Sequence, residues 1–447
     1  MTASKGVRMN FLMIAVDSLR ADRLGCYGYH RPTTPFIDAF AGRSVVFENC
    51  YAPSIPTQPS FTCTFTGQWP TTHGIVAHRG RWSLGNGAPF LPEFLQRAGY
   101  ATAAVDNLAE HHKPWFSRGF DVCLNPREAG SYPECFRFNE LAVDWLKAHG
   151  RKPFFLFVHY WDPHTPYMPP VAYRDLFYSG DPTVENRGSL DEFYRRPLRS
   201  WWTSGWLGRM ASEWPGAAAA QITDVEFVRS QYDAEVRCVD DGIRELLGAL
   251  EKLGVAEETA VFIFSDHGEE LGEHGIYFDH HGLYESDIRV PLIVRWPGVE
   301  VDGNRVRSLA QHTDLAPTVL EGAGLPVPRG MDGRSLFPLI HGGPDREAGE
   351  LLLSQECTWM AKWAVCEDGW KLIAALEPDF YGNPMLELYD LNGDPSEQRN
   401  LARELPGKTR EMGEILASEL SRRLARAGRT RDPVEAHGIT LGREMFA

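Results

Sequence analysis

The chain has 447 residues, with 45 Lys and Arg against 60 Asp and Glu, a formal net charge of -15. That balance argues against general nucleic-acid binding, and the length fits one large domain or a large domain with a smaller companion. Eight widely spaced cysteines with no CxxC pair argue against a zinc knot and suggest reduced thiols in a cytoplasmic protein.

Residues 11–16 form a continuous apolar run, as expected for a buried parallel strand, and the run ends at Asp17. The surrounding stretch 10–19 is too short to span a membrane. Residues 44–49 predict a second strand. Residues 54–67, SIPTQPSFTCTFTG, place a hydroxyl residue near a helix N-terminus, where free N–H groups and the helix dipole favour an anion. A helix over 91–98 ends at Gly99, a strand over 100–105 leads to Asp106-Asn107, and a helix spans 138–149. The run PFFLFVH at 153–159 is a strand leading into Tyr160-Trp161-Asp162-Pro163-His164. Residues 171–224 lose the pattern and read as an insert. A long helix over 225–253 precedes a buried strand at 260–265, which ends at Asp266-His267-Gly268. A strand at 289–295 and a helix at 314–322 follow. The alternation predicts a mostly parallel sheet with helices on both faces. Beyond residue 340 the pattern changes to short strands and a helix at 408–427. The expected organisation is an α/β catalytic domain over 1–340 and a smaller α+β subdomain with an antiparallel sheet over 341–447.

Asp17, Thr57, Asp266 and His267 fall at or just past strand ends, where open α/β sheets bind ligands. Two carboxylates and an imidazole suit a divalent cation, with Mg, Ca, Mn or Zn all compatible. Such an ion can lower the pKa of the Thr57 hydroxyl and clamp an ester oxygen. Glu269, Glu270, Glu273 and His274 are expected to be structural, and His312 and Asp314 to cap a helix.

The segments VDSLRADRLGCYGY, YAPSIPTQPSFTCTFTGQWPTTHG, FLFVHYWDPHTPY, FSDHGEELGEHG and LYESDIRVPLIVRWPG resemble, in order, those of the sulfatase family of the alkaline phosphatase superfamily. The resemblance implies that superfamily's α/β core, esterase chemistry on sulfate or phosphate groups, and a small-molecule ester substrate. No nucleic acid or membrane is expected as a partner; a homo-oligomer is the expected assembly. The family's nucleophile segment is C-x-P-S-R, with its Cys oxidised to formylglycine. Counting back from Thr66-Gly67, Thr57 takes the Cys position and Phe61 the Arg position. Cys63 lies too late to be the modified residue, so no formylglycine is expected.

A formylglycine hydrate has two hydroxyls, one to attack and one to expel the sulfate. Thr57 has one, so its adduct must be cleared by water. That step is familiar for phosphoryl adducts, and it favours a phosphodiesterase or phosphonate monoester hydrolase over a sulfatase. A sulfatase working without formylglycine is the alternative, and a non-catalytic binding homologue is a third reading. By the resemblance, Asn107, His164 and His280 join Thr57 in catalysis. Phe61, His78, Arg79 and Asp162 are the expected substrate contacts. Asp17, Thr57, Asp266 and His267 hold one ion, and Asp162, His164 and His280 are a candidate set for a second.

Overall fold

The computed structural model describes residues 9–106, 108, 113–126, 134–195, 200–213, 221–299, 304–344, 351–379 and 381–441. Its strands are β1 (Asn10–Val16), β2 (Val45–Tyr51), β3 (Ser54–Ile55), β4 (Ala101–Val105), β5 (Val122–Leu124), β6 (Phe154–Tyr160), β7 (Thr259–Ser265) and β8 (Glu270–Leu271). They continue with β9 (Tyr277–Asp279), β10 (Arg289–Arg295), β11 (Arg305–Val306), β12 (Ala310–Gln311), β13 (Leu352–Glu356), β14 (Lys362–Glu367), β15 (Trp370–Ala375) and β16 (Leu386–Asp390). The main sheet runs β11-β2-β10-β7-β1-β6-β4-β5, with β12 also on β2. Strands β7, β1, β6, β4 and β5 are mutually parallel, and β10 is antiparallel to both its neighbours. The expected mostly parallel sheet is thus present, with β10 as its reversed strand.

Alternate residues of a strand point to opposite faces, and β1 feeds two cores accordingly. Leu12, Ile14 and Val16 face a core built with the helices Cys135–His149 and Val225–Lys252. Phe11, Met13 and Ala15 face the opposite core, which contains the helices Thr57–Thr66, Leu91–Arg97 and Leu315–Gly322. Both faces of β1 are therefore sealed, and its apolar run is the sequence signature of that double burial. Among the described residues, no helix is long and apolar enough to cross a membrane.

The helix Thr57–Thr66 is buried along its whole length although six of its ten residues are polar. Its own backbone satisfies three of them. Thr62, Thr64 and Thr66 donate their hydroxyls to the carbonyls of Gln58, Ser60 and Thr62, four residues back, at 2.7, 3.1 and 2.5 Å. Gly67 ends the helix at φ 62°, and a Cβ there would press on Met331 at 3.0 Å.

The C-terminal sheet, β16-β15-β14-β13, is antiparallel, and its free edge takes up β3 as a fifth, parallel strand. Ser54 pairs with Gln355 and Ile55 with Glu356. The chain just before Thr57 is therefore held by residues three hundred positions away. This pairing fixes where the Thr57 helix begins.

Candidate active site

Two neighbouring strand ends build the floor. β1 and β7 run parallel with Val16 opposite Ser265, so the next residues, Asp17 and Asp266, lie side by side. Leu19 N–H donates to Ser265 Oγ at 2.9 Å, and that hydroxyl lies 2.7 Å from the Val16 carbonyl. Ser18 sits at φ 58°, a left-handed conformation that costs about 1–3 kcal/mol in a non-glycine residue. There its N–H reaches Asp266 Oδ1 at 3.3 Å and its hydroxyl reaches Asp17 Oδ1 at 3.0 Å. Both carboxylates are fully buried, and their Oδ2 atoms have no hydrogen-bond partner.

Thr57 opens its helix directly beside them. Its Oγ1 lies 3.3 Å from His267 Nε2, which is 3.6 Å from Asp17 Oδ1 and 3.4 Å from Asp266 Oδ2. His267 Nδ1 lies 2.9 Å from the Gly268 carbonyl. A carbonyl can only accept, so Nδ1 carries a proton, and Nε2 is the nitrogen turned toward Thr57 and the two carboxylates. Ser60, one turn along the helix, ties it down by donating to the Asp266 carbonyl at 2.8 Å and meeting His312 Nδ1 at 2.9 Å. Asp314 and Gln311 form a capping box, as expected of Asp314, whereas His312 serves the Thr57 helix through Ser60.

His159 belongs to this site and sequence reasoning passed over it. It is the second-to-last residue of β6, in register with Ala15, and reads as part of an apolar run. Its ring is fully buried, with Nε2 3.3 Å from Asp17 Oδ2 and Nδ1 3.0 Å from Asp106 Oδ1. His159 Nε2 and Asp17 Oδ2 face each other but are not aligned as a hydrogen bond. One ligand atom each from Asp17, His159 and Asp266 falls within 4.8 Å of the others. The available signal was a lone imidazole at the carboxyl end of a strand adjacent to the one carrying Asp17.

The donor set fits a divalent cation. Two buried carboxylate oxygens and a His159 nitrogen lack hydrogen bonds, and His267 Nε2 and Thr57 Oγ1 adjoin them. Without an ion the charges balance by protons. Burial works against the Asp17 carboxylate, but His164, His159 and His267 together hold it well below the usual range. Burial, and then Asp17, raise Asp266. Burial disfavours a charged His159, yet Asp106 and Asp17 outweigh it and push the imidazole up to about 10. The proton on His159 occupies charge space that a cation would otherwise fill.

The remaining expected residues divide. His164 donates Nδ1–H to the Thr165 carbonyl at 2.7 Å, and its ring lies 5.2 Å from that of His280. His280 in turn lies 4.5 Å, ring to ring, from His267. These two imidazoles flank the metal residues. Asp162 is turned away from them: its Oδ2 accepts the Cys135 N–H at 3.2 Å, at the start of the helix Cys135–His149. The expected second cation set of Asp162, His164 and His280 is thus not assembled. The place of Phe61 is also corrected. It is fully buried, packed edge-on against His159 and Phe157 at 4.7 and 5.5 Å, so it backs the His159 ring, fills its space and meets no substrate. His78 is half-buried and Arg79 exposed. Arg79 N–H donates to Gln58 Oε1 at 2.8 Å, next to Thr57. Asn107 lies outside the described residues. Cys63 is buried 3.2 Å from His73 Nε2, and burial pushes its thiol well up, so it is unreactive.

Residues 9–325 match the model of the Sulfatase family, and residues 272–426 match that of the N-sulphoglucosamine sulphohydrolase C-terminal region. The N-acetylglucosamine-6-O-sulfatase of Bacteroides thetaiotaomicron is 26% identical over 92% of this chain and 86% of its own length. A multifunctional alkaline phosphatase superfamily protein of Trinickia caryophylli is 27% identical over 66% of this chain and 60% of its own. Among solved structures, a protein in complex with its substrate D-glucosamine-2-N,6-O-disulfate superposes with a TM-score of 0.73 at 25% identity, covering 96% of this chain and 99% of the other. The phosphonate monoester hydrolase of Agrobacterium radiobacter superposes at 0.71 with 21% identity, over 93% and 96%. With Asp17, Thr57, Asp266 and His267 gathered at the strand ends where the ordered motifs placed them, the chain belongs to the sulfatase family.

Proposed function

We propose that this protein is a metal-dependent hydrolase of sulfuric esters in which Thr57 stands in place of formylglycine. The observation that carries the reading is the Thr57 hydroxyl 3.3 Å from His267 Nε2, beside two buried carboxylates with unpartnered oxygens. The preference for phosphoric over sulfuric esters, expected from Thr57, is revised. A relative matched over most of this chain is a sulfatase, and the family model is that of sulfatases. Sulfate esters of amino sugars are the natural class to test first, since they are named for that relative and for a similar solved structure.

Asp17, Asp266, His267 and Thr57 would hold the ion, with His159 as a further donor. Bound there, a divalent cation supplies Lewis acidity to an ester oxygen and lowers the pKa of a bound hydroxyl. Thr57 Oγ attacks sulfur, its proton passing to solvent, and the bond from sulfur to the alcohol oxygen breaks. The departing alkoxide takes a proton from His164, whose Nδ1 is engaged with Thr165, so that Nε2 is the nitrogen left to deliver it. Water then attacks the sulfur of the Thr57 ester, the Thr57 oxygen leaves and is reprotonated, and sulfate is released. Backbone N–H groups at the start of the Thr57 helix stabilise the charge on the transferred group.

A second reading, phosphodiester or phosphonate monoester hydrolysis, keeps one observation in its favour: Thr57 lacks the second hydroxyl that expels sulfate from formylglycine. Initial rates on 4-nitrophenyl sulfate, 4-nitrophenyl phosphate, bis(4-nitrophenyl) phosphate and a 4-nitrophenyl phosphonate monoester separate the two. The sulfate is expected to be cleaved with the highest kcat/KM. A phosphonate or phosphodiester cleaved faster than the sulfate overturns the proposal.

A further inference from the structure

Beyond the Thr57 site, a second group of donors stands on the short ribbon that follows it. β8 pairs with β9, with Glu270 opposite Asp279. This hairpin brings Glu269, immediately before β8, next to Asp279 and His280 at the end of β9. One ligand atom from each of the three lies within 4.8 Å of the other two. His280 Nδ1 is 3.8 Å from Glu269 Oε1 and 3.5 Å from Asp279 Oδ1. Four ligands around an ion at about 2.0–2.2 Å stand about 3.3–3.6 Å from one another in tetrahedral geometry. The two spacings from His280 Nδ1 need only a few tenths of an ångström of closure.

The second observation is the state of the donors. Glu269 is 0% exposed, and neither of its carboxylate oxygens has a hydrogen-bond partner. His280 is 9% exposed, and its Nδ1 also has none. Asp279 is steered by His281, whose Nε2 is 3.0 Å from Asp279 Oδ1. Next to this group, Asp287 is fully buried with both carboxylate oxygens unpartnered. A buried carboxylate without hydrogen bonds or a counter-charge costs several kcal/mol. Glu269, with bare oxygens facing a bare imidazole nitrogen at 3.8 Å, marks a place for positive charge, and Asp279 Oδ1, which also accepts the His280 N–H at 3.0 Å, adjoins it.

We infer that Glu269, Asp279 and His280 form a second divalent-cation site, suited by its two oxygens and one imidazole nitrogen to a first-row ion such as zinc or manganese. This set shares only His280 with the expected trio of Asp162, His164 and His280. It does not depend on the Thr57 ion: its donors are separate from Asp17, Asp266 and His267. Because the His280 ring lies 4.5 Å from that of His267 and 5.2 Å from that of His164, an ion on Nδ1 fixes one wall of the Thr57 site.

The test is zinc stoichiometry by elemental analysis. The full chain is stripped with chelator, equilibrated with zinc alone and desalted. The wild type is expected to retain two ions per chain, Glu269→Gln one, Asp266→Asn one, and the double variant none. A wild type with one ion that Glu269→Gln also retains, and Asp266→Asn loses, overturns the second site and leaves the first standing. An unchanged count in Asp266→Asn, with loss in Glu269→Gln, does the reverse. Anomalous diffraction at the zinc edge on the wild type guards against misfolded variants. A peak between Glu269, Asp279 and His280 supports the site, and a peak confined to Asp17 and Asp266 refutes it.

Discussion

Acidification should loosen the helix that presents Thr57, and the responsible group is His73. This ring is buried, its Nδ1 accepts the Ile75 N–H at 2.9 Å, and its Nε2 faces Cys63 Sγ at 3.2 Å. Cys63 lies on the Thr57 helix. Adding a proton to Nδ1 would set two N–H groups against each other in a buried site. Burial, assisted by Arg429, pushes this imidazole down from 6.5 to about 3. The folded pKa is below the unfolded one, so the unfolded chain binds more protons between these values. The stabilisation is complete above pH 6.5 and is lost as pH falls towards 3. At about pH 4.5 the loss from this one group is about 2–3 kcal/mol. Denaturant unfolding of the wild type and of His73→Gln, followed from neutral pH down to about 4.5, measures it. Carboxylates common to both proteins cancel in the difference. The wild type should lose about 2–3 kcal/mol more than the variant over that range. Parallel stability–pH curves for the two would refute the assignment.

Three further outcomes follow from the geometry. Thr57→Ala should lower kcat on the best ester by about a thousandfold or more, about 4 kcal/mol in the barrier, while Thr57→Ser stays within about tenfold; equal turnover by the alanine variant would leave water as the direct nucleophile. Phe61→Ala should cost about 3–5 kcal/mol of stability by opening a cavity behind His159; a raised KM with no loss of stability would instead put Phe61 at the substrate. Lys371 is fully buried between Glu397 at 2.8 Å and Glu285 at 3.2 Å. Lys371→Met should cost about 3–5 kcal/mol by stranding the two acids, read as a lower midpoint in thermal unfolding.

What could be read from the sequence was what strand ends and helix starts announce locally. An apolar run ending in Asp17, another ending in Asp266-His267, and a helix beginning at Thr57 each carry their own boundary signal. The parallel register of β1 and β7 then brings them together. His159 escaped because a residue inside an apolar strand run gives no sign of which neighbour it will face. Phe61 was misplaced because the family register shows which residue replaces the Arg but not where the new side chain packs; an aromatic ring there turns inward to Phe157 and His159. Asp162 fell beside the expected histidines in sequence, yet the Cys135 N–H, at the start of a helix 27 residues earlier, claims its carboxylate. Glu269 read as structural because its partners, Asp279 and His280, reach it only through the β8–β9 pairing. The docking of β3 onto β13 is likewise a contact between distant segments that no local pattern records.

The most direct test of the account is ester turnover by chelated protein as one divalent ion is returned. Turnover of the best ester should vanish on chelation and return with added ion in the wild type, while Asp266→Asn stays inactive at the ion concentration that restores the wild type. Turnover that survives chelation, or that Asp266→Asn keeps at the wild-type level, would contradict the claim that Asp17, Thr57, Asp266 and His267 form a metal-dependent catalytic site.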